Sequence, residues 1–143
     1  FIKEGIIPLI ESNYRVNDSY RALGGASYGG LFTLYTTIME PKLFDSYIVL
    51  SPSIHWDKGW FLAEQKRHAK TYQSMKTRMW LGVGGNEKPQ MHQGVDDFLE
   101  ELNAHRSEDF LVEYHKVDDE GHAGMKVESY NRALRYIFGH LKK

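Results

Sequence analysis

The 143-residue sequence contains no cysteine and no long hydrophobic run. The first absence excludes disulfide bridges, thiolate metal sites and a cysteine nucleophile, and fits either the cytoplasm or the periplasm. Because no stretch approaches the ~20 apolar residues needed to cross a bilayer, we predict no membrane span. The formal net charge is only −1 and the basic residues are scattered, which argues against nucleic acid as a partner. These absences favour a small molecule or a peptide as the partner.

Two common kinds of ligand site are missing as well. The glycine-rich residues 82–88 lack the spacing of a phosphate-binding loop, and their glycines end a predicted strand instead of opening a helix. No H-E-x-x-H pattern or comparable cluster suggests a metal site. We therefore expect neither a metal site nor a phosphate-binding loop.

The order of apolar segments predicts an α/β fold. With 41% hydrophobic and 26% charged residues, the chain can form one globular domain over residues 1–143. Alternating strands and helices predict a mostly parallel sheet with helices on both faces. Three predicted strands cover residues 21–25, 47–50 and 79–83, and a fourth begins at residue 110. The predicted helices cover residues 1–12, 29–39, 58–68, 95–105 and about 127–141.

A nucleophile motif lies between the first predicted strand and its helix. Residues 25–29 read Gly-Ala-Ser-Tyr-Gly and match G-x-S-x-G, in which a serine occupies a strained strand-to-helix turn. Gly25 and Gly29 are expected to be glycine because the backbone passes close to both positions. Ser27 is therefore the candidate nucleophile, and the Tyr28 backbone N–H is the candidate donor to an oxyanion.

A serine hydroxyl needs a base, and His122 is the candidate among seven histidines. It follows the fourth strand. Hydrolases with the G-x-S-x-G motif have the chain order Ser, acid, His, which places the histidine there. The acid is expected after the third strand, where Glu87 stands, to orient the imidazole. Other carboxylates remain open as alternatives: Asp96, Asp97, Asp118, Asp119 and Glu120.

The segment after the second strand is expected at the same end of the sheet as Ser27, since ligands of open α/β sheets gather at the carboxyl ends of the strands. His55 and Trp56 in this segment are candidates for the substrate pocket. An alternative is that Trp56 and Trp60 only pack a loop onto the sheet.

Several segments resemble one known family. They are residues 7–16, 24–31, 41–44, Ser51-Pro52-Ser53, Trp56 and Gly121-His122, so the resemblance extends over nearly the whole chain. They resemble the serine esterases of the α/β-hydrolase superfamily that include esterase D and the enterochelin-type siderophore esterases. The resemblance implies ester hydrolysis through an acyl-enzyme on Ser27, with His122 as base, no cofactor and a small-molecule ester as substrate.

The resemblance also implies that this chain is the C-terminal portion of the hydrolase fold, without the strands that precede the nucleophile. Residues 85–87 depart from the family pattern because they offer no aspartate directly after the strand, which leaves the acid open. Two alternatives to an esterase remain at this point: an acyltransferase of the same superfamily, and a non-catalytic binding domain.

Overall fold

The computed structural model describes residues 1–141. Four strands alternate with five α-helices, and short irregular helical turns cover Ile2–Ile6, Trp56–Gly59, Ala69–Ser74 and Gly139–Leu141. The strands are β1 (Ala22–Ala26), β2 (Ser46–Leu50), β3 (Thr77–Gly84) and β4 (Phe110–Val117), and the helices are α1 (Ile7–Asn13), α2 (Tyr28–Met39), α3 (Trp60–His68), α4 (Pro89–His105) and α5 (Met125–Phe138).

The four strands form one parallel sheet in the order β1-β2-β3-β4. Gly25 pairs with Val49, Val49 with Leu81, and Leu81 with Tyr114. Because all strands run the same way, the loops after β1, β2, β3 and β4 leave from one edge of the sheet. Every candidate site residue except those of α4 lies in or next to these loops.

Helices cover both faces of the sheet, as predicted. The strand side chains alternate, so Tyr47 and Val49 face one layer while Ile48 and Leu50 face the other. One layer is built by α2, α3 and α4, and α5 builds the opposite one. The buried residues that the helices contribute to these layers are Leu31, Leu34, Ile38, Phe61, Val95, Phe98 and Leu102 on the first face, and Met125, Ala133 and Ile137 on the second.

Most strand and helix positions match the prediction, and the main difference is in α4. This helix begins at Pro89, six residues before the predicted start, and Met91 extends its buried face. Proline is compatible with the first turn of a helix because its missing N–H would have no partner there. In the same way Pro8 stands in the first turn of α1 and does not end the helical segment. None of the helices in residues 1–141 is long and apolar enough to cross a membrane.

Candidate active site

Ser27 lies at the turn between β1 and α2 in a strained backbone conformation. Its φ and ψ are 59° and −119°, a region that residues other than glycine rarely adopt. Three backbone hydrogen bonds hold it there. The Ser27 N–H donates to Leu50 O at 2.9 Å. Ser27 O accepts from the Leu31 N–H at 3.0 Å and from the Ser53 N–H at 3.1 Å. The turn therefore presents the Ser27 side chain above the carboxyl edge of the sheet.

Only one of the two motif glycines is required by local contacts. A Cβ on Gly25 would lie 2.1 Å from Gly29 O, which is far inside van der Waals contact. A Cβ on Gly29 would meet no atom within 4 Å, so the expectation of a close approach at Gly29 was wrong. The second tight position is the neighbouring Gly30, whose Cβ would lie 2.9 Å from Leu50 O.

Tyr28 is the first residue of α2. The amides of the first helical turn have no intrahelical partner and carry the positive end of the helix dipole. The Tyr28 residue is 63% exposed, so its ring is not part of the core. Its backbone N–H is thus available to a ligand next to Ser27.

His122 and Glu87 form a close pair across two loops. His122 Nδ1 lies 2.7 Å from Glu87 Oε2. The side chain of Glu87 is only 1% exposed, whereas that of His122 is 43% exposed. The carboxylate thus lies beneath the imidazole, and the imidazole faces the pocket. The alternatives Asp118, Asp119 and Glu120 are exposed beside His122, and Asp96 and Asp97 lie on α4.

The buried carboxylate of Glu87 is ionised by its hydrogen bonds. Oε1 accepts hydrogen bonds from the Ser51 hydroxyl and from the Gly84 N–H, the latter at 2.8 Å. Burial by itself would raise the pKa of Glu87, but the hydrogen bonds from Ser51, His122 and Gly84, with the charge that His122 can carry, bring the pKa below its ordinary value of 4.5. Glu87 is therefore an anion at neutral pH, which suits a group that orients an imidazole.

This pKa shift predicts a loss of stability in acid. Since the folded state holds Glu87 at a lower pKa than the unfolded state, the stabilisation is complete above the ordinary value of 4.5 and disappears as the pH falls through the lowered pKa. We expect the free energy of unfolding of wild type to exceed that of Glu87→Gln by an amount that shrinks as the pH falls from about 6 to about 3. Urea unfolding across this range measures the difference. A difference in the free energy of unfolding that stays constant with pH would contradict a lowered pKa of Glu87 in the folded state.

The candidate side chains line one open pocket of about 520 Å³. Ser27, Tyr28, Glu87 and His122 all contribute to its wall. The Ser27 hydroxyl has Ser53 as its hydrogen-bond partner, with 3.2 Å between the two Oγ atoms. Residues 1–141 contain no group of three or more His, Cys, Asp or Glu side chains that could hold a metal ion.

The two pocket candidates after β2 are placed differently. His55 is exposed and lines the pocket. Trp56 is 46% exposed and is not among the lining residues; its ring meets that of Trp60 edge to face at 6.5 Å. Trp56 thus contacts the first residue of α3, and its role stays a prediction.

Sequence reasoning assigned no role to Ser51 and Ser53, although both contact candidate site residues. Ser51 hydrogen-bonds to Glu87, and Ser53 hydrogen-bonds to Ser27. The available signal was their position directly after a buried strand, at the sheet edge that carries Ser27.

The matching family model and two curated relatives of this chain are described as esterases. Residues 1–136 match the family model described as "Putative esterase". The ferri-bacillibactin esterase BesA of Bacillus subtilis (strain 168) is 29% identical over 141 residues, which are 95% of this chain and 49% of that protein. The siderophore enterobactin esterase of Emericella nidulans is 36% identical over 101 residues, which are 67% of this chain and 33% of that protein.

A solved structure shows the same fold. The BES protein from Bacillus cereus superposes with a TM-score of 0.88 at 27% sequence identity, over 96% of this chain and 52% of that one. The match thus covers about half the length of BesA and of the BES protein, and a third of the Emericella nidulans esterase. The sheet of four parallel strands covered by helices on both faces agrees with the α/β-hydrolase fold. The chain belongs to the "Putative esterase" family, an esterase family of the α/β-hydrolase superfamily.

Proposed function

We propose that this chain hydrolyses carboxylic esters of small molecules through an acyl-enzyme on Ser27. The observation that carries the proposal is the position of Ser27 and the His122–Glu87 pair in the wall of one pocket. The names of the curated relatives point to siderophore esters as the substrate class. We propose that residues 1–143 form a single domain that carries Ser27, His122 and Glu87.

The first chemical step forms the acyl-enzyme. Ser27 Oγ attacks the ester carbonyl carbon while His122 Nε2 takes the hydroxyl proton. This step requires the Ser27 hydroxyl to exchange its hydrogen bond with Ser53 for one with His122. The Tyr28 N–H donates to the oxyanion of the tetrahedral intermediate. When the C–O bond of the ester breaks, the leaving alkoxide takes the proton from His122 and departs as an alcohol.

The second step returns the enzyme to its starting state. His122 takes a proton from water, and the resulting hydroxide attacks the acyl carbon on Ser27. The bond between the acyl carbon and Ser27 Oγ then breaks, and the acyl group leaves as a carboxylic acid. Ser27 Oγ recovers the proton from His122. Glu87 remains ionised throughout and stabilises the imidazolium through Nδ1.

The proposal predicts covalent labelling of one serine. A fluorophosphonate reacts with an activated serine, and not with ordinary serine hydroxyls. We expect the wild-type chain to gain one phosphonyl group, mapped by peptide mass spectrometry to Ser27. A heat-unfolded sample serves as the control and is expected to remain unlabelled. No label on the folded chain, or a label on a different residue, would contradict the proposal.

A further inference from the structure

Ser51 combines complete burial with an uncommon backbone conformation. It follows β2 directly, is 0% exposed, and has a φ of 41°, in the left-handed region that favours glycine. Its N–H donates to Gly82 O at 2.8 Å, so the adjacent strand β3 fixes its orientation. A strained residue other than glycine at a buried position points to a role for its side chain.

The hydroxyl of Ser51 has a specific partner, Glu87 Oε1. The Gly84 N–H donates to the same oxygen at 2.8 Å, while the other oxygen, Oε2, faces His122 Nδ1 at 2.7 Å. Because the carboxylate is 1% exposed, solvent supplies little replacement for a lost donor. The two donors on Oε1 therefore decide which way the carboxylate faces.

A glutamate needs such an anchor more than an aspartate would. Its side chain has one more rotatable bond, and holding it in a single rotamer opposes conformational entropy. Gly84 lies close to Glu87 in the chain and anchors it within its own turn. Ser51 anchors it from the end of β2, which ties the acid to the sheet that also carries Ser27.

We propose that Ser51 is a positioning residue whose hydroxyl holds Glu87 Oε1, so that Oε2 faces His122 and orients it toward Ser27. This inference rests on the proposed function for its effect on rate. Ser51 itself touches neither the substrate nor the nucleophile in this proposal; it acts through Glu87.

The test removes the hydroxyl without disturbing the backbone. Ser51→Gly suits the positive φ, and we expect it to slow fluorophosphonate labelling of Ser27 about 10-fold, the loss expected for one hydrogen bond to a charged group. Ser46→Ala is the matched control, because Ser46 is equally buried and its hydroxyl has no hydrogen-bond partner among the described residues. Its labelling rate is expected to stay within about twofold of wild type.

A double-mutant cycle separates positioning from a general structural effect. If Ser51 acts through Glu87, then Ser51→Gly is expected to change the labelling rate by less than about twofold in a Glu87→Ala background. A further 10-fold loss in that background would overturn the proposal, as would a wild-type rate for Ser51→Gly alone. Ser51→Cys, which keeps the side-chain size and offers only a weak donor, replaces Ser51→Gly if the glycine variant does not fold.

A titration of Glu87 tests its contact with Ser51 even if the chain does not react with the fluorophosphonate. With one donor fewer to oppose its burial, Glu87 is expected to have a higher pKa in Ser51→Gly than in wild type or Ser46→Ala. Carbon-13 NMR of the glutamate carboxyl groups measures this pKa. If wild type is not labelled at Ser27, the proposed function fails; the titration then supports the contact by a raised pKa or overturns it by an unchanged one.

Discussion

Replacement of His122 with alanine is expected to slow fluorophosphonate labelling of Ser27 about 10²- to 10⁴-fold, the contribution typical of a positioned general base. Without the imidazole, the Ser27 hydroxyl keeps its proton and is a weak nucleophile. The fold is expected to survive, because the His122 side chain is 43% exposed and leaves no closed cavity when truncated. Glu87 also retains its donors Ser51 and Gly84.

The chain offers a matched control for this variant. His115 also faces a glutamate, with 3.4 Å between its Nε2 and Glu128 Oε1, but it lies on β4 outside the pocket. His115→Ala is expected to label at a rate within about twofold of wild type. Equal losses in the two variants would show a general effect on the fold, and an unchanged rate in His122→Ala would exclude His122 as the base. Circular dichroism of each variant verifies folding.

The fold was predictable because apolar strands and helices with one apolar face alternate along most of the sequence. The run of apolar residues in β2 indicates a strand buried on both faces, and the structure buries all five of its residues. The start of α4 was not predictable from apolar spacing, because residues 89–94 are mostly polar and only Met91 and Gly94 among them are buried. Proline is also read more readily as a helix end than as a helix start.

The candidate site residues that could be predicted all follow a strand in the sequence. Ser27, Glu87 and His122 each follow a strand, and strand ends can be read from sequence. Ser51 could not be recognised as a partner of Glu87, because its contact depends on a positive φ that an ordinary serine does not indicate. The directions of His55 and Trp56 depend on loop geometry, and a loop has no period that sorts side chains to one face. The roles of these residues stay predictions for the experiments above.

Substitution of Gly25 with alanine is expected to lower the free energy of unfolding by about 3 kcal/mol, at the upper end of typical overpacking effects. The new Cβ would lie 2.1 Å from Gly29 O and 2.3 Å from Gly29 C, and backbone atoms cannot rotate away as a side chain can. The turn between β1 and α2 must therefore shift, and Ser27 lies in that turn. A displacement of about 1 Å is enough to slow the reaction of a positioned nucleophile about 100-fold.

Two neighbouring glycines provide the comparison. A Cβ on Gly24 would lie 3.5 Å from Ile48 Cβ, an ordinary contact, and Gly29 has open space at its Cβ position. Gly24→Ala is expected to stay within about 1 kcal/mol of wild type, and Gly29→Ala in α2 is expected to be neutral or to gain up to about 1 kcal/mol from helix propensity. Urea unfolding and fluorophosphonate labelling of the three variants test this order. If Gly25→Ala and Gly29→Ala behaved alike, the nucleophile turn would not depend on the close approach at Gly25.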